Sequence, residues 1–209
     1  MKILAISQRV ENIYEYSEKR DCLDQRWTSL IHRLGFLPLP LSNLASPSEF
    51  IENITPSAII LSGGNNIAKV DKLALDVSTE RDKFEERLIK IAIKKNIPII
   101  GVCRGMQMIN LFFDGSMSQV VNHTGVKHEI TFVGKYLEEE SREVNSYHRW
   151  CIQEPGLGRS LVPLAIANDG TVESFYHEKY PILGIMWHPE REEPHVQDDL
   201  NLIKKFVQS

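Results

Sequence analysis

Two short apolar runs enclose the segment Gly101-Val102-Cys103-Arg104-Gly105, and this arrangement restricts the fold of the chain more than any other feature. Ile97 to Ile100 reads as a buried strand, and Met106 to Phe113, apolar on nearly every face, reads as a buried helix. A strand that passes into a helix through one sharp corner belongs to layered α/β architecture. The glycines two before and two after Cys103 are expected to let the backbone turn without a Cβ clash. Cys103 then occupies the corner of a nucleophile elbow, where the side chain is lifted into a cleft. The unpaired N–H groups and dipole at the start of the following helix favour its thiolate. Taken alone, a cysteine in apolar surroundings is an ordinary packed thiol. It becomes a nucleophile only with partners.

Those partners stand far downstream. Ile182 to Trp187 is a second apolar strand-like run, and it ends in His188-Pro189-Glu190. Proline holds the preceding residue extended, and residues two apart in an extended chain project to one face. His188 and Glu190 can therefore meet in one cleft, a base and the carboxylate that orients it. A third strand-like run, Ala58 to Leu61, ends in Ser62-Gly63-Gly64-Asn65-Asn66. Adjacent glycines after a strand let a backbone N–H turn toward a neighbouring site, and acyl transfer needs two such donors for its oxyanion. The expected donors are the N–H groups of Gly64 and Arg104. A plain glycine turn is the alternative for the Ser-Gly-Gly segment.

The remainder alternates strands and helices, which predicts one doubly covered, mostly parallel sheet. Lys2 to Ser7 reads as the first strand. Leu23, Trp27, Leu30, Ile31 and Leu34 mark a helix stopped by Gly35, and Phe36 to Leu41, with Pro38 and Pro40, suits an edge strand. Glu80 to Lys95 is an amphipathic helix, and Leu200, Ile203 and Val207 stripe a closing helix whose start is favoured by Asp198 and Asp199. Between them, 128–133, 143–147, 161–167 and 171–175 predict mainly extended, partly antiparallel structure. The polar run Asp71 to Glu80 reads either as a cover over the cleft or as a plain surface connection. Lys135 and Glu138 to Glu140 read as a solvated turn.

Gly-Val-Cys-Arg-Gly-Met-Gln, Ser-Gly-Gly and His-Pro-Glu, in this order and spacing, resemble the class I glutamine amidotransferases. Arg81-Asp82-x-x-Glu85, Asn110, Gly115, Gln119 and Asn145-Ser146-x-His148 bring the resemblance nearest to the freestanding γ-glutamyl hydrolase branch, relatives of γ-glutamyl-γ-aminobutyrate hydrolase. The likeness runs from Ile6 to about Arg191. It implies a flavodoxin-like fold with a small antiparallel addition, residues 1–209 as one glutamine amidotransferase domain, and a triad of Cys103, His188 and Glu190. It also implies that Gly63, Gln107, Asn145, Ser146 and His148 bind the glutamyl half, and that Arg149 and Trp150 shape the leaving-group pocket. Asp114 replaces a usual glycine, and Trp150 stands close to a usual glutamine. Within the branch the likeness is nearest to hydrolases of γ-glutamyl-CDP-amidate, which serve capsule synthesis. A glutaminase subunit feeding a synthase, a hydrolase of γ-glutamyl-γ-aminobutyrate and a binding module with a relic site remain the alternatives.

Composition excludes several other classes. At 209 residues and 42% hydrophobic content, the chain suits one substantial soluble domain. A net charge of −4 without a basic stripe argues against a nucleic-acid partner. No apolar run has signal-peptide or membrane-span length, so no membrane role is expected. Cys22, Cys103 and Cys151 lack paired spacing, which points to a reducing compartment and hence the cytoplasm. His123 and His128 stand five apart with no cysteine partner, so no metal site is expected. The chemistry inferred requires no cofactor and no obligate synthase partner, only a small γ-glutamyl substrate.

Overall fold

This computed structural model describes residues 2–133 and 140–208. Lys135, Glu138 and Glu139 of the turn expected near 135–140 lie outside the described residues.

The parallel half of the sheet is built from short strands apolar on both faces, which only a doubly covered sheet can bury. These are β1 (Lys2–Ser7), then β2 (Arg9–Ile13) and β3 (Glu18–Cys22) as a separate hairpin, β4 (Phe36–Leu41), β5 (Ala58–Leu61) and β6 (Ile99–Val102). Then follow β7 (Ser118–Gln119), β8 (Thr124–Phe132), β9 (Ser141–Tyr147), β10 (Trp150–Cys151), β11 (Leu161–Ala167), β12 (Val172–His177) and β13 (Ile182–Ile185). Nine of them form one sheet in the order β4-β1-β5-β6-β13-β12-β11-β8-β9. The first five are parallel neighbours, and from β13 onward every ladder is antiparallel. The antiparallel addition thus extends the same sheet as its second half. β4 does lie at the edge, with Pro38 opposite Leu4 and Pro40 opposite Ile6.

Among the described residues, five α-helices cover the two faces: α1 (Arg26–Leu34), α2 (Pro47–Ile54), α3 (Thr79–Lys95), α4 (Arg104–Phe112) and α5 (Gln197–Gln208). Trp27, Leu30 and Ile31 of α1 and Leu200 and Ile203 of α5 pack with Leu4, Ile6 and Ile60 on one side. Phe84 and Leu88 of α3, Ile51 of α2 and Met106 and Ile109 of α4 pack with Ala5, Ile59 and Leu61 on the other. Alternate residues of β1 and β5 thereby feed opposite cores, as the period-2 geometry of a strand requires. Gly35 ends α1 in the left-handed conformation at φ 91°.

Asp198 and Asp199 stand in the first turn of α5 as expected, and Asp199 has a further role. It is buried and accepts a 3.0 Å hydrogen bond from Trp187 Nε1 and an ion pair from Arg142, so it docks the helix onto the end of β13. The guanidinium of Arg142 in turn lies 5.1 Å over the Trp187 ring. The segment 71–80 is a surface connection that ends in the first residues of α3. Asp76 holds it to Asn65 and Asn66, and Ser78 caps α3 by accepting from Arg81 N.

Candidate functional site

The C-terminal ends of β5, β6 and β13 converge, which is where ligands bind in open α/β sheets. Cys103 stands at the corner after β6 with φ 50° and ψ −105°, a strained backbone for a residue carrying a Cβ. Its amide donates to Ile185 O across the parallel ladder at 2.8 Å, which pins the corner to β13. The flanking glycines do avoid a Cβ clash, and the clash is with neighbouring elements. Neither adopts a positive φ. A Cβ on Gly105 would lie 2.0 Å from Leu61 O, and one on Gly101 would lie 2.6 Å from the Gly105 backbone. Glycine is needed so that α4 can press directly against β5 and β6.

His188 follows β13, and its Nδ1 lies 2.7 Å from Glu190 Oε1. Both residues are buried. The Cys103 side chain is the other near charge partner of the His188 ring. Burial pushes the Cys103 thiol up, but the neighbouring His188, with weaker help from His148 and Arg191, more than offsets this and brings it down. Burial likewise opposes a charged His188, yet the sulfur and Glu190 push the ring up to about 9. The pair is therefore biased toward thiolate and imidazolium, the charge state a nucleophile and its acid need.

Gly63 closes the space beside this pair. A Cβ there would lie 2.8 Å from His188 Cε1 and 3.7 Å from Cys103 Cβ. Gly64 turns with φ 79°, and its carbonyl accepts from Arg81 Nη1 at 2.6 Å. Beneath the turn lies a buried ionic cluster that the Arg81-Asp82-x-x-Glu85 motif supplies. Arg81 donates to Ser62 O and to Glu85, Glu85 also accepts from Ser7 Oγ, and the Arg104 side chain bridges Glu85 and Asp82. Two guanidinium groups balance two carboxylates there, so no net charge is buried.

The other residues expected to touch substrate are mostly committed to the protein. Asn145 donates to His188 O at 2.9 Å and accepts from His188 N at 2.8 Å, clamping the backbone on both sides. Ser146 Oγ donates to His123 O at 2.7 Å. His148 Nδ1 and Gln107 Nε2 both reach Trp150 O, at 3.1 and 2.9 Å, and neither ring nor amide is exposed. Arg149 is exposed, and its carbonyl accepts from Val120 N. Trp150 pairs with Gln119 between β10 and β7.

Sequence reasoning missed three contributors. Arg191 stacks 4.4 Å from the centroid of Tyr147, and Tyr147 meets the His188 ring edge-to-face at 5.8 Å. Arg9, from the β2–β3 hairpin, joins Asp24, Trp27, Gly63, Gly64 and His188 around a small cleft of about 40 Å³. Glu173 is fully buried in β12 and pairs with His148 at 3.4 Å. Burial raises the Glu173 carboxyl, but the neighbouring His128 and His148 rings hold it near 2. The short polar hairpin and the isolated glutamate carried no periodic signal. Only the adjacency of Arg191 to His-Pro-Glu offered a clue.

With this geometry in place, comparison with known proteins gives a consistent answer. The Peptidase C26 family model matches residues 2–190. The chain is 40% identical over 192 residues to the γ-glutamyl-CDP-amidate hydrolase of Campylobacter jejuni, covering 90% of each. It is 32% identical to protein NtpR of Enterococcus hirae, over 88% of this chain and 87% of that one. Among solved structures, a glutamine amidotransferase from Thermotoga maritima superposes with a TM-score of 0.67 at 17% identity, over 100% of this chain and 85% of the other. That likeness carries the fold alone.

Proposed function

This chain belongs to the Peptidase C26 family of glutamine amidotransferase-like hydrolases, and from that premise we propose that it cleaves a γ-glutamyl amide through a Cys103 thioester and releases L-glutamate. The observation that carries the reading is the joint burial of Cys103, His188 and Glu190 at the ends of β6 and β13, with His188 Nδ1 2.7 Å from Glu190 Oε1 and both the His188 ring and Cys103 facing Gly63. The Cys103 thiolate attacks the γ-carbonyl carbon, and the N–H groups of Gly64 and Arg104 receive the oxyanion. Each such donor is worth about a hundred- to a thousandfold in rate. His188, as imidazolium, gives its proton to the departing nitrogen as the C–N bond breaks. The neutral ring then takes a proton from water, whose oxygen attacks the thioester, and the thiolate leaves as free glutamate forms. Glu190 holds the ring in the required tautomer.

The favoured conjugate is γ-glutamyl-CDP-amidate, by likeness to the Campylobacter enzyme, with cytidine diphosphoramidate as the second product and capsule modification as its use. Arg9 and Arg191, both beside the cleft, supply cationic groups for an anionic leaving group. The chain acts without a synthase partner, in the cytoplasm. Three free cysteines suit that compartment, and no helix among the described residues is long and apolar enough to cross a membrane.

Specificity constants for isolated protein on γ-glutamyl-CDP-amidate, γ-glutamyl-γ-aminobutyrate and glutamine test the reading, with Cys103→Ala as the control. Glutamate release should be fastest from the nucleotide conjugate and absent in the variant. Equal rates in both proteins refute the thioester. Release that appears only when a synthase is added points to a glutaminase subunit instead.

A further inference from the structure

The densest group of titratable side chains outside the candidate active site lies in the antiparallel half of the sheet. His123 precedes β8, His128 lies within it, and Glu173 projects from β12. One ligand atom from each falls within 4.8 Å of the others. His128 Nε2 is 3.5 Å from Glu173 Oε2, and His123 Nδ1 is 3.8 Å from Glu173 Oε1. A tetrahedral ion with bonds of about 2.0–2.1 Å holds neighbouring ligand atoms about 3.3–3.4 Å apart, so the two imidazoles, which approach different oxygens of Glu173, would have to draw in toward one of them.

Two independent observations point to a ligand. Glu173 Oε2 and His128 Nε2 are buried and have no hydrogen-bond partner, although they face each other. Glu173 itself has no exposed surface, so its free oxygen cannot turn to water. A buried carboxylate oxygen left unmatched costs about 1–3 kcal/mol or more, which a cation would recover. Beyond the cluster, Asp169 Oδ2 lies 2.8 Å from His123 Nε2. A carboxylate on the far nitrogen fixes that proton and leaves Nδ1 with its lone pair directed inward, as in metal-binding histidines. An open cavity of about 410 Å³, lined in part by His123, His128 and Asp169, provides an entry path.

We propose that His123, His128 and Glu173 form a binding site for a divalent transition metal of the zinc class, with Asp169 orienting His123. The proposal reverses the expectation drawn from His123 and His128 alone, because Glu173 is remote in sequence. Two imidazoles and one carboxylate suit zinc and its first-row neighbours, and they leave one coordination position open. That position faces His148, whose Nε2 lies 3.2 Å from His123 Nδ1 and 3.4 Å from Glu173 Oε1. His148 stands between this site and Cys103, whose thiol it helps to lower.

Zinc competition against a chromophoric chelator tests the proposal, performed on Cys103→Ala protein so that the thiol does not compete. One equivalent of Zn²⁺ should bind, His128→Asn should remove it, and Asp169→Asn should weaken it about 10- to 100-fold. Asp169 is on the surface, so its variant tests the site without disturbing the core. X-ray absorption on the zinc-loaded wild-type protein should show only nitrogen and oxygen neighbours. No binding to the Cys103→Ala protein, sulfur in the wild-type ligand shell, or unchanged affinity in either site variant overturns the proposal.

Discussion

The two halves of the sheet treat polar groups in opposite ways. In the parallel half, the strand interiors are wholly apolar, and Gly63, Gly64, Cys103 and His188 appear only where strands end. In the antiparallel half, polar side chains sit within the strands themselves: Asn145 and Ser146 in β9, His128 in β8, Glu173 and Ser174 in β12. Parallel strands buried on both faces have no room for unpaired polar atoms, so their chemistry is confined to the rim. Antiparallel ladders carry one solvated or polar face and can hold a hydrogen-bonded support against that rim. The first half ends in the corners that carry Cys103 and His188, and the second holds the His188 backbone through Asn145.

Substitutions that separate presenting from holding sharpen this contrast. His188→Ala should lower kcat about 10⁴-fold or more with little change in KM, measured on the best γ-glutamyl substrate. In the unaltered protein the same ring, pushed up to about 9, should set the alkaline limb of the kcat/KM profile. Activity that needs imidazolium as the acid is present below that pH and is lost above it, and a limb near the ordinary histidine value would contradict the charge pairing. Gly105→Ala should cost about 3 kcal/mol in chemical denaturation, because the new methyl group meets Leu61 O, part of a strand that cannot yield. Asn145→Ala leaves Cys103 untouched, but it frees the His188 backbone and should lower kcat about 100-fold with secondary structure retained. A larger effect on KM than on kcat would return Asn145 to direct substrate contact. Arg149→Ala, at an exposed position, should change stability by less than about 0.5 kcal/mol. A changed ratio of specificity constants between the CDP-amidate and glutamine would show that this side chain faces the leaving group.

Legibility followed the same division. The elbow at Cys103 and the exit at His188 stood out because each follows an unbroken apolar run, and such runs are a direct trace of burial on both faces. That Gly101 and Gly105 avoid a Cβ clash was legible, but the atoms they make room for were not, because close approach of α4 to β5 joins segments far apart in the chain. The β2–β3 hairpin escaped notice because Arg9 to Cys22 is half-buried or exposed throughout, so no alternation marks it. α2 (Pro47–Ile54) went unread for a related reason, since it buries only Pro47 and Ile51. Glu173 resembles any strand residue until His123, His128 and His148 are brought beside it by three antiparallel ladders. Asn145 and Ser146 were found by resemblance, but their hydrogen bonds to His188 and His123 backbone required coordinates.

The cluster of Arg81, Asp82, Glu85 and Arg104 has a mechanical consequence. Glu85 grips one arginine that suspends the Ser62-Gly63-Gly64 turn and another that belongs to the first turn of α4. Thermal displacement of either piece therefore drags its counterpart along. Two amides separated by forty positions in the chain keep a constant gauge, as rails do on shared sleepers, and the spacing between them is decided underneath.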